Sequence, residues 1–470
     1  MKNNLQRKYR LSNTFKAKTL HFLKVRQVGI SLLLSSMSAC AIYEPLPLEA
    51  PTLASSIQDL AMPSNLNLSD GLHIHEVGVI AVLNNPQLRS VRLQMGISDA
   101  QVYSTGLFPD PQFGFSLDKP NDPAPDLVSA QSFGLSYDLI PLVTRGARNE
   151  AAVQSYKQSQ LEVLWQEWQV IQQARILSVR RSFEKERLDL LKTMLTLYQQ
   201  RYDRSAKALA QGNTTLDVNG TDLTSLLDTL SLVNDLEQTR DITQRDLNLI
   251  MGLSAEAELP LIQLPTLKPL GNSEVQQLLE NLPDRRPDLL GLRAGYEAQE
   301  ANVRSAVLGQ FPSLGIGISH AKDTAGLITN GISINLNLPI FSGNQGNIAI
   351  ARATRAQLRE EYSARLAHTR ADVDYLLETQ NQLQQQLDNL AHYLPQLRRL
   401  LDHAEKAYKA GDIEALTFLN MESTWLNKRL EQILLLEAAW ENYIALSAML
   451  ALASWPQLTT MSEIDTGSPL

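Results

Sequence analysis

The sequence predicts a mixed α/β membrane protein, mainly α, built from a duplicated strand–strand–long helix–helix unit. Three observations carry this. Residues 147–211 contain neither glycine nor proline, and the run 347–410 contains only one breaker, Pro395. Ahead of each run stand two short segments in which oily and small polar residues alternate. The whole arrangement occurs twice, about two hundred residues apart.

The helices come first because they are abnormal. A continuous helix over 147–211 would span about 97 Å at 1.5 Å per residue, whereas globular helices usually stop after about 8–20 residues. Residues 221–251 and 412–455 are also free of both breakers. Gly212 and Gly411 sit where each long helix must turn back, the position at which a left-handed C-cap favours glycine. Each half therefore holds a long antiparallel helical hairpin, expected over 147–252 and 347–455. Apolar spacing such as Leu188, Leu191 and Leu195 suits packing against neighbouring helices.

Four strands are expected, at about 111–118, 132–140, 313–319 and 331–339. In "GISINLNLP" the residues Ile332, Ile334, Leu336 and Leu338 alternate with Ser333, Asn335 and Asn337. That is period two, with one oily and one small polar face. Lipid outside and water inside demand this pattern of a membrane strand. A sheet covering a soluble core would show the same alternation in any single strand. Four strands of one style, set before very long helices, favour the membrane. An open sheet edge cannot sit in lipid, because its backbone groups would go unpaired, and about eight strands is the practical minimum for a closed barrel. The chain must therefore oligomerise. Pro141, Gly146, Pro339 and Gly343 mark the expected joins of strand to helix.

The duplication is visible residue by residue. Pro86, Leu88, Arg92, Ala100, Val102 and Ser104 correspond to Pro287, Leu289, Arg293, Ala301, Val303 and Ser305, and Phe108-Pro109 corresponds to Phe311-Pro312. "AQGNTTLD" from Ala210 parallels "KAGDIEALT" from Lys409. The expected divisions are a signal peptide at 1–39, a lipid-anchored extension at 40–70, a first repeat at 71–259 and a linker at 260–272. A second repeat at 273–455 and a tail at 456–470 follow.

Charge and cysteine usage set the compartment. Residues 1–39 hold eight of the 42 Lys and Arg and no acid, so the remainder carries 34 basic against 50 acidic residues, a net of −16. A chain that acidic is a poor nucleic-acid binder. If its acids line a pore, the pore is weakly cation-selective. The basic block runs into "VGISLLLSSMSAC", an apolar core too short to span a bilayer, as in a secretory signal. The ending resembles a bacterial lipobox, which makes Cys40 the expected site of a covalent lipid (palmitate among its acyl chains) and the first mature residue. An ordinary cleaved signal with an incidental cysteine is the alternative. Cys40 is the single cysteine, so no intramolecular disulfide is possible.

The ordered set "RPDLLGLRAGYEAQEANVRSAVLGQFPSL" from Arg286, "ISINLNLPIFSGNQGNIAIARATRAQL" and "YKAGDIEALTFL" from Tyr408 resembles the TolC-like outer membrane efflux proteins, in their lipoprotein branch. The first half carries a looser copy, so the likeness runs from about Leu72 to Trp455. The resemblance implies a homotrimer whose twelve strands close one outer-membrane β-barrel, continued by a periplasmic α-helical barrel. It implies a passive duct in a tripartite efflux system of a Gram-negative bacterium, with a periplasmic adaptor, an inner-membrane pump and outer-membrane lipid as partners. It also implies adaptor contact and a gate at the helix turns, around Gly212 and Gly411. In relatives acidic residues close that ring; here the usual aspartate positions are Thr417 and Asn420. Asp217 remains in the first half, and Asp412, Glu414 and Glu422 lie near. The expectation is that an acidic gate uses Asp412 or Glu414, against the plainer reading that these acids favour a helix N-terminus.

No catalytic constellation, phosphate loop or cofactor motif is legible, and no enzyme activity is expected. His73 and His75 form the one close histidine pair, and two residues apart on a helix they would face different ways. No metal is expected. A periplasmic adaptor and a structural coiled-coil lipoprotein are the other readings. The first should carry one hairpin rather than two, and the second should lack lipid-facing strands.

Overall fold

The computed structural model describes residues 43–48, 52–63, 66, 71–121 and 126–452. The signal 1–39, Cys40 and the tail 456–470 lie outside the described residues, as does much of the extension 40–70. Residues 43–48 run as exposed irregular chain, and Leu53–Leu470 form one compact unit.

Each half repeats one order of elements. In the first, α1 (Ile74–Asn84) and α2 (Pro86–Gly106) lead into β1 (Gln112–Asp118) and β2 (Ala130–Asp138). Then come α3 (Ile140–Ala210) and α4 (Leu216–Ile250). In the second, α5 (Asn272–Glu280) and α6 (Pro287–Leu308) lead into β3 (Ser313–Lys322), β4 (Ile328–Asn337), α7 (Gln345–Ala410) and α8 (Ala415–Met449). At 71 residues, α3 is about 106 Å long. It begins seven residues before the start that Gly146 suggested. Asp138 accepts the Ile140 N–H at 3.0 Å and Pro141 occupies the first turn, where its fixed φ suits a helix start. Gly146 lies inside the helix with open space around it, so it marks no join. Pro395 likewise lies inside α7.

The sheet is antiparallel in the order β1-β2-β3-β4, so the two halves are stitched together through β2 and β3. Strand ends differ from expectation by up to three residues. The start of β4 moves back to Ile328 because Asp323 organises the preceding turn. Its carboxylate accepts the Leu327 N–H at 2.8 Å, and its carbonyl accepts the Gly326 N–H at 3.1 Å.

The two strand-to-helix joins are built differently but latched alike. After β2 the chain enters α3 directly. After β4 it makes a tight turn in which the Gly343 N–H donates to the Pro339 carbonyl at 3.0 Å, and Gly343 and Asn344 both take positive φ, 49° and 57°. In the first join Arg145 Nε donates to the Gly106 carbonyl at 3.0 Å and its guanidinium lies 4.5 Å from the Phe108 ring centre. In the second, Asn344 Nδ2 donates to the Ala306 carbonyl at 2.8 Å. Each long helix is thereby pinned to the end of the helix that precedes its strands.

The core is strung along the hairpins rather than gathered in one place. Val77, Ile80 and Ala81 of α1 bury against Ala174 and Leu177 of α3 and Leu247 of α4. Leu188, Leu191, Met194 and Leu197 of α3 meet Leu226, Val233 and Leu236 of α4 and Leu419 and Leu426 of α8. Val179 and Phe183 meet Ile433, Trp440 and Ile444. In the second half Val275, Leu289, Val373 and Leu446 form the matching cluster. Non-polar burial of this kind stabilises each seam by about 25 cal/mol per Å².

The residue before each conserved-in-repeat proline closes its own hairpin. Asn85, before Pro86, donates from Nδ2 to the Ile250 carbonyl at 3.0 Å. Arg286, before Pro287, donates from Nη1 to the Met449 carbonyl at 3.1 Å. Ile250 and Met449 are the last residues of α4 and α8, whose terminal carbonyls have no partner within the helix. Arg286 is 2% exposed; it grips Asp288 with two hydrogen bonds, of 2.9 and 2.7 Å, and lies 4.9 Å from the Trp165 ring centre.

Candidate functional site: a two-faced sheet and the hairpin tips

The register decides what the sheet can do. Phe113 pairs with Leu135 and Phe115 with Phe133; Leu135 pairs with Ile318 and Tyr137 with Ile316; Ile316, Ile318 and Leu314 pair with Ile334, Ile332 and Leu336. Directly paired residues share a face, so every strand contributes its oily side to one continuous surface. The side chains stand open: Ile332 is 86% exposed, Phe113 68% and Ile334 66%. No single soluble chain gains by leaving a contiguous apolar surface in water.

The opposite face pairs Gly114 with Gly134, Ser116 with Ser132, Ser136 with Gly317 and Gly315 with Asn335. Its charged residues are Asp118 and Asp138, with no Lys, Arg or His on this face of the strands. It is also crowded. A Cβ on Gly317 would lie 2.6 Å from Ser333 Oγ and 3.2 Å from the Leu135 carbonyl, as expected for the inside of a curled sheet. On the oily face, polar residues stand only at the end away from the helices. There His320 meets Asn330 at 2.7 Å, and Lys322 and Gln131 pair.

The far ends of the hairpins close with matching turns. Gly212 (φ 74°) and Gly411 (φ 85°) are left-handed. Gly212 and Asn213 donate to the Leu209 and Ala208 carbonyls at 2.9 and 2.8 Å, and Gly411 and Asp412 donate to Tyr408 and Ala407 at 3.0 and 2.8 Å. This double bond pattern satisfies the last carbonyls of a helix ending in a left-handed glycine. Asp217 sits in the first turn of α4, and Glu414 is the N-cap of α8 without a side-chain cap bond. Asp412, Glu414, Thr417 and Asn420 are all exposed at this tip. Just behind them Tyr408 stacks on Phe418 with ring centres 5.3 Å apart. Burial pushes the Glu422 carboxyl above its usual range, and Glu405 adds to this while Arg398 opposes it.

The histidine pair departs from expectation. His73 is not in a helix but caps α1 with extended backbone, so its ring comes within 5.4 Å of the His75 ring. Burial lowers the His75 pKa, against the raising effect of Glu76, while His73 and Arg175 lower it further. Among the described residues no group of three or more His, Cys, Asp or Glu is placed to hold a metal ion. No described helix is long and apolar enough to cross a membrane. Sequence reasoning missed the Arg286–Asp288 pair, although "RRPD" sits at a quoted motif, and it missed Glu437.

The chain thus joins a sheet with one oily and one small polar face to helices about 100 Å long. Residues 278–452 match the model of the outer membrane efflux protein family. The pyoverdine export outer membrane protein OpmQ of Pseudomonas aeruginosa is 31% identical over 157 residues, 31% of this chain and 33% of that protein. OpmQ of Pseudomonas putida is 27% identical over 280 residues, 52% of this chain and 59% of that protein. The chain thus matches a third to three fifths of the length of these relatives. The crystal structure of CusC superposes with a TM-score of 0.63 at 20% identity, covering 87% of this chain and 99% of the other. The open-state outer membrane channel MtrE of Neisseria gonorrhoeae superposes with a TM-score of 0.66 at 18% identity, covering 88% of this chain and 98% of the other. The described chain has the fold of these channels.

Proposed function

We propose that this protein is the outer-membrane duct of a tripartite efflux system. The oily sheet face lies in the outer membrane, the Gly/Ser/Asn face lines the pore, and the helical hairpins extend through the periplasm. The observation that carries this reading is the register, which sorts four strands into one lipid-compatible and one water-compatible face. In this reading the duct is passive, and an inner-membrane pump with a periplasmic adaptor selects the cargo. The relatives named for pyoverdine export make small secreted metabolites the leading cargo class.

The repeat supports self-association into a ring. Within one chain the first half meets the second through β2–β3, α3–α6 and α3–α8. The reciprocal surfaces of the duplicate, namely β4 with β1, α7 with α2 and α7 with α4, are not joined comparably among the described residues. They are the faces that carry exposed apolar groups: Leu93 at 75% and Ile97 at 53% on α2, and Ile350 at 66% on α7. A neighbouring copy supplies the missing partners, and three copies give the twelve strands that the family resemblance implies. Leu93→Asp combined with Ile97→Asp therefore leaves the protein folded but monomeric, as read by light scattering of the detergent-purified protein. A ring that survives both substitutions would refute the assignment of this face. Channel activity of the wild type in planar bilayers tests the duct itself.

The tips are the proposed adaptor contact. Around Gly212 and Gly411 there is open space, so a larger side chain meets no clash and costs only the left-handed backbone, about 1–2 kcal/mol. Gly212→Val or Gly411→Val is expected to abolish efflux while the oligomer still forms, measured by cargo accumulation in cells beside native-gel migration. Lipidation of Cys40 belongs to the same proposal, and intact-mass analysis of the mature protein tests it.

A further inference from the structure

Along the helical shaft the two hairpins of one chain meet at the seam between α3 and α8. Polar links cross this seam at intervals. Tyr198 and Ser423 share a hydrogen bond of 2.6 Å, Arg429 donates to Glu186 at 2.9 Å, Arg180 pairs with Glu441, and Trp168 Nε1 donates to the Ala448 carbonyl at 3.2 Å. In the middle stands Glu437, whose side chain is 13% exposed. Its carboxylate Oε2 lies 3.4 Å from Arg187 Nη1 yet receives no hydrogen bond. From α3 it is faced by Arg180, Glu184 and Arg187, and from its own helix by Glu441. Glu184 is 1% exposed, and only its Oε1 is satisfied, by Thr243 Oγ1 at 2.6 Å. Two buried carboxylates thus share one seam with imperfect partners, where a charge without donors is costly.

We propose that Glu437 is a proton-operated latch on the α3–α8 seam, closed when the carboxyl is protonated and loosened when it ionises, so that the second hairpin swings more freely from the first in neutral to alkaline surroundings. Burial is the main cause that raises its pKa from the ordinary 4.5 to about 7, with Arg187 opposing and Glu441 and Glu184 adding. The sign follows from linkage. A carboxyl with a raised pKa in the packed state favours packing fully below its free value, and that preference is lost as pH rises through about 7. With these two values the ratio of loosened to closed seam grows about tenfold between pH 6 and pH 8. The consequence for conduction rests on the duct reading; the latch itself does not.

Hydrogen exchange of the α8 amides around Glu437, corrected for intrinsic rates and measured on the full chain in detergent, tests the latch. In the wild type, exchange through seam opening rises about tenfold from pH 6 to pH 8. In Glu437→Gln it is independent of pH and lies below the wild-type level at pH 6. Arg187→Gln, which removes the favourable neighbour of the ionised form, moves the transition to higher pH. A wild type insensitive to pH, or a Gln variant with an unchanged rise, overturns the proposal. Bilayer recordings separate the two readings. If channels form and their open probability rises with pH only when Glu437 is present, both stand. If exchange behaves as stated but no channel forms, the latch stands and the duct fails. If channels form and neither exchange nor opening depends on Glu437, the latch fails alone.

Discussion

Ile334→Lys is expected to prevent assembly in the membrane, whereas Asn335→Lys, one residue further on, is expected to leave assembly intact and reduce cation conductance. The two side chains leave the same strand on opposite faces. Ile334 pairs with Ile316 in the middle row of the oily surface. A lysine at that depth in a membrane barrel costs about 2–4 kcal/mol per copy, and a ring of copies meets that cost at every subunit. Asn335 pairs with Gly315 on the small polar side, where a lysine reaches into water and adds one positive charge per copy beside Asp138. Outer-membrane fractionation measures the first effect, and reversal potential in planar bilayers measures the second. Equal tolerance of both lysines would place the sheet outside lipid.

Arg286→Ala is expected to be the most damaging single change in the helical region. Arg286 and Asp288 have side chains 3% and 6% exposed. Removing the arginine leaves a buried carboxylate with only the 3.4 Å contact to Arg365, and it strips the Met449 carbonyl of its donor. Breaking one side of a buried pair typically costs about 3–5 kcal/mol, which corresponds to a fall of about 3–5 °C in the melting temperature of a chain this long. Exchanging both partners, as in Arg286→Met with Asp288→Ala, removes the stranded charge and recovers most of the loss. Circular dichroism melts of the wild type, the single and the double variant distinguish a stranded charge from a mere loss of packing, which the double variant would not repair.

Much of this architecture was legible in the sequence because its signals are periodic and long. Period two in "SINLNL" sorts side chains by face whatever the neighbours do, and runs without breakers as long as 147–211 admit few structures other than a helix. The hairpin tips were legible because a turn between two such helices demands a residue able to take positive φ, and Gly212 and Gly411 are the glycines at those points. The joins were less legible. Gly146 looked like a breaker, but helix packing absorbs the modest propensity cost of one glycine, while the actual start is set by a side chain, Asp138, whose bond to Ile140 is not a periodic signal. The buried charges were not legible at all. Arg286 and Glu437 look like ordinary surface residues until the chain brings Trp165 and Met449 to the first and Glu184 to the second, from up to about 250 positions away. The histidine pair was misplaced for the same reason that joins are hard, since a one-residue difference in helix start decides whether two rings part or meet.

The latched repeat has a consequence for genetics. The contacts that bind one half to the other inside a chain are of the same kind as those proposed between chains, and only residues 260–272 make them covalent. A gene split at that linker would then encode two short proteins able to find each other without being joined, and six such halves would build the ring proposed for three whole chains.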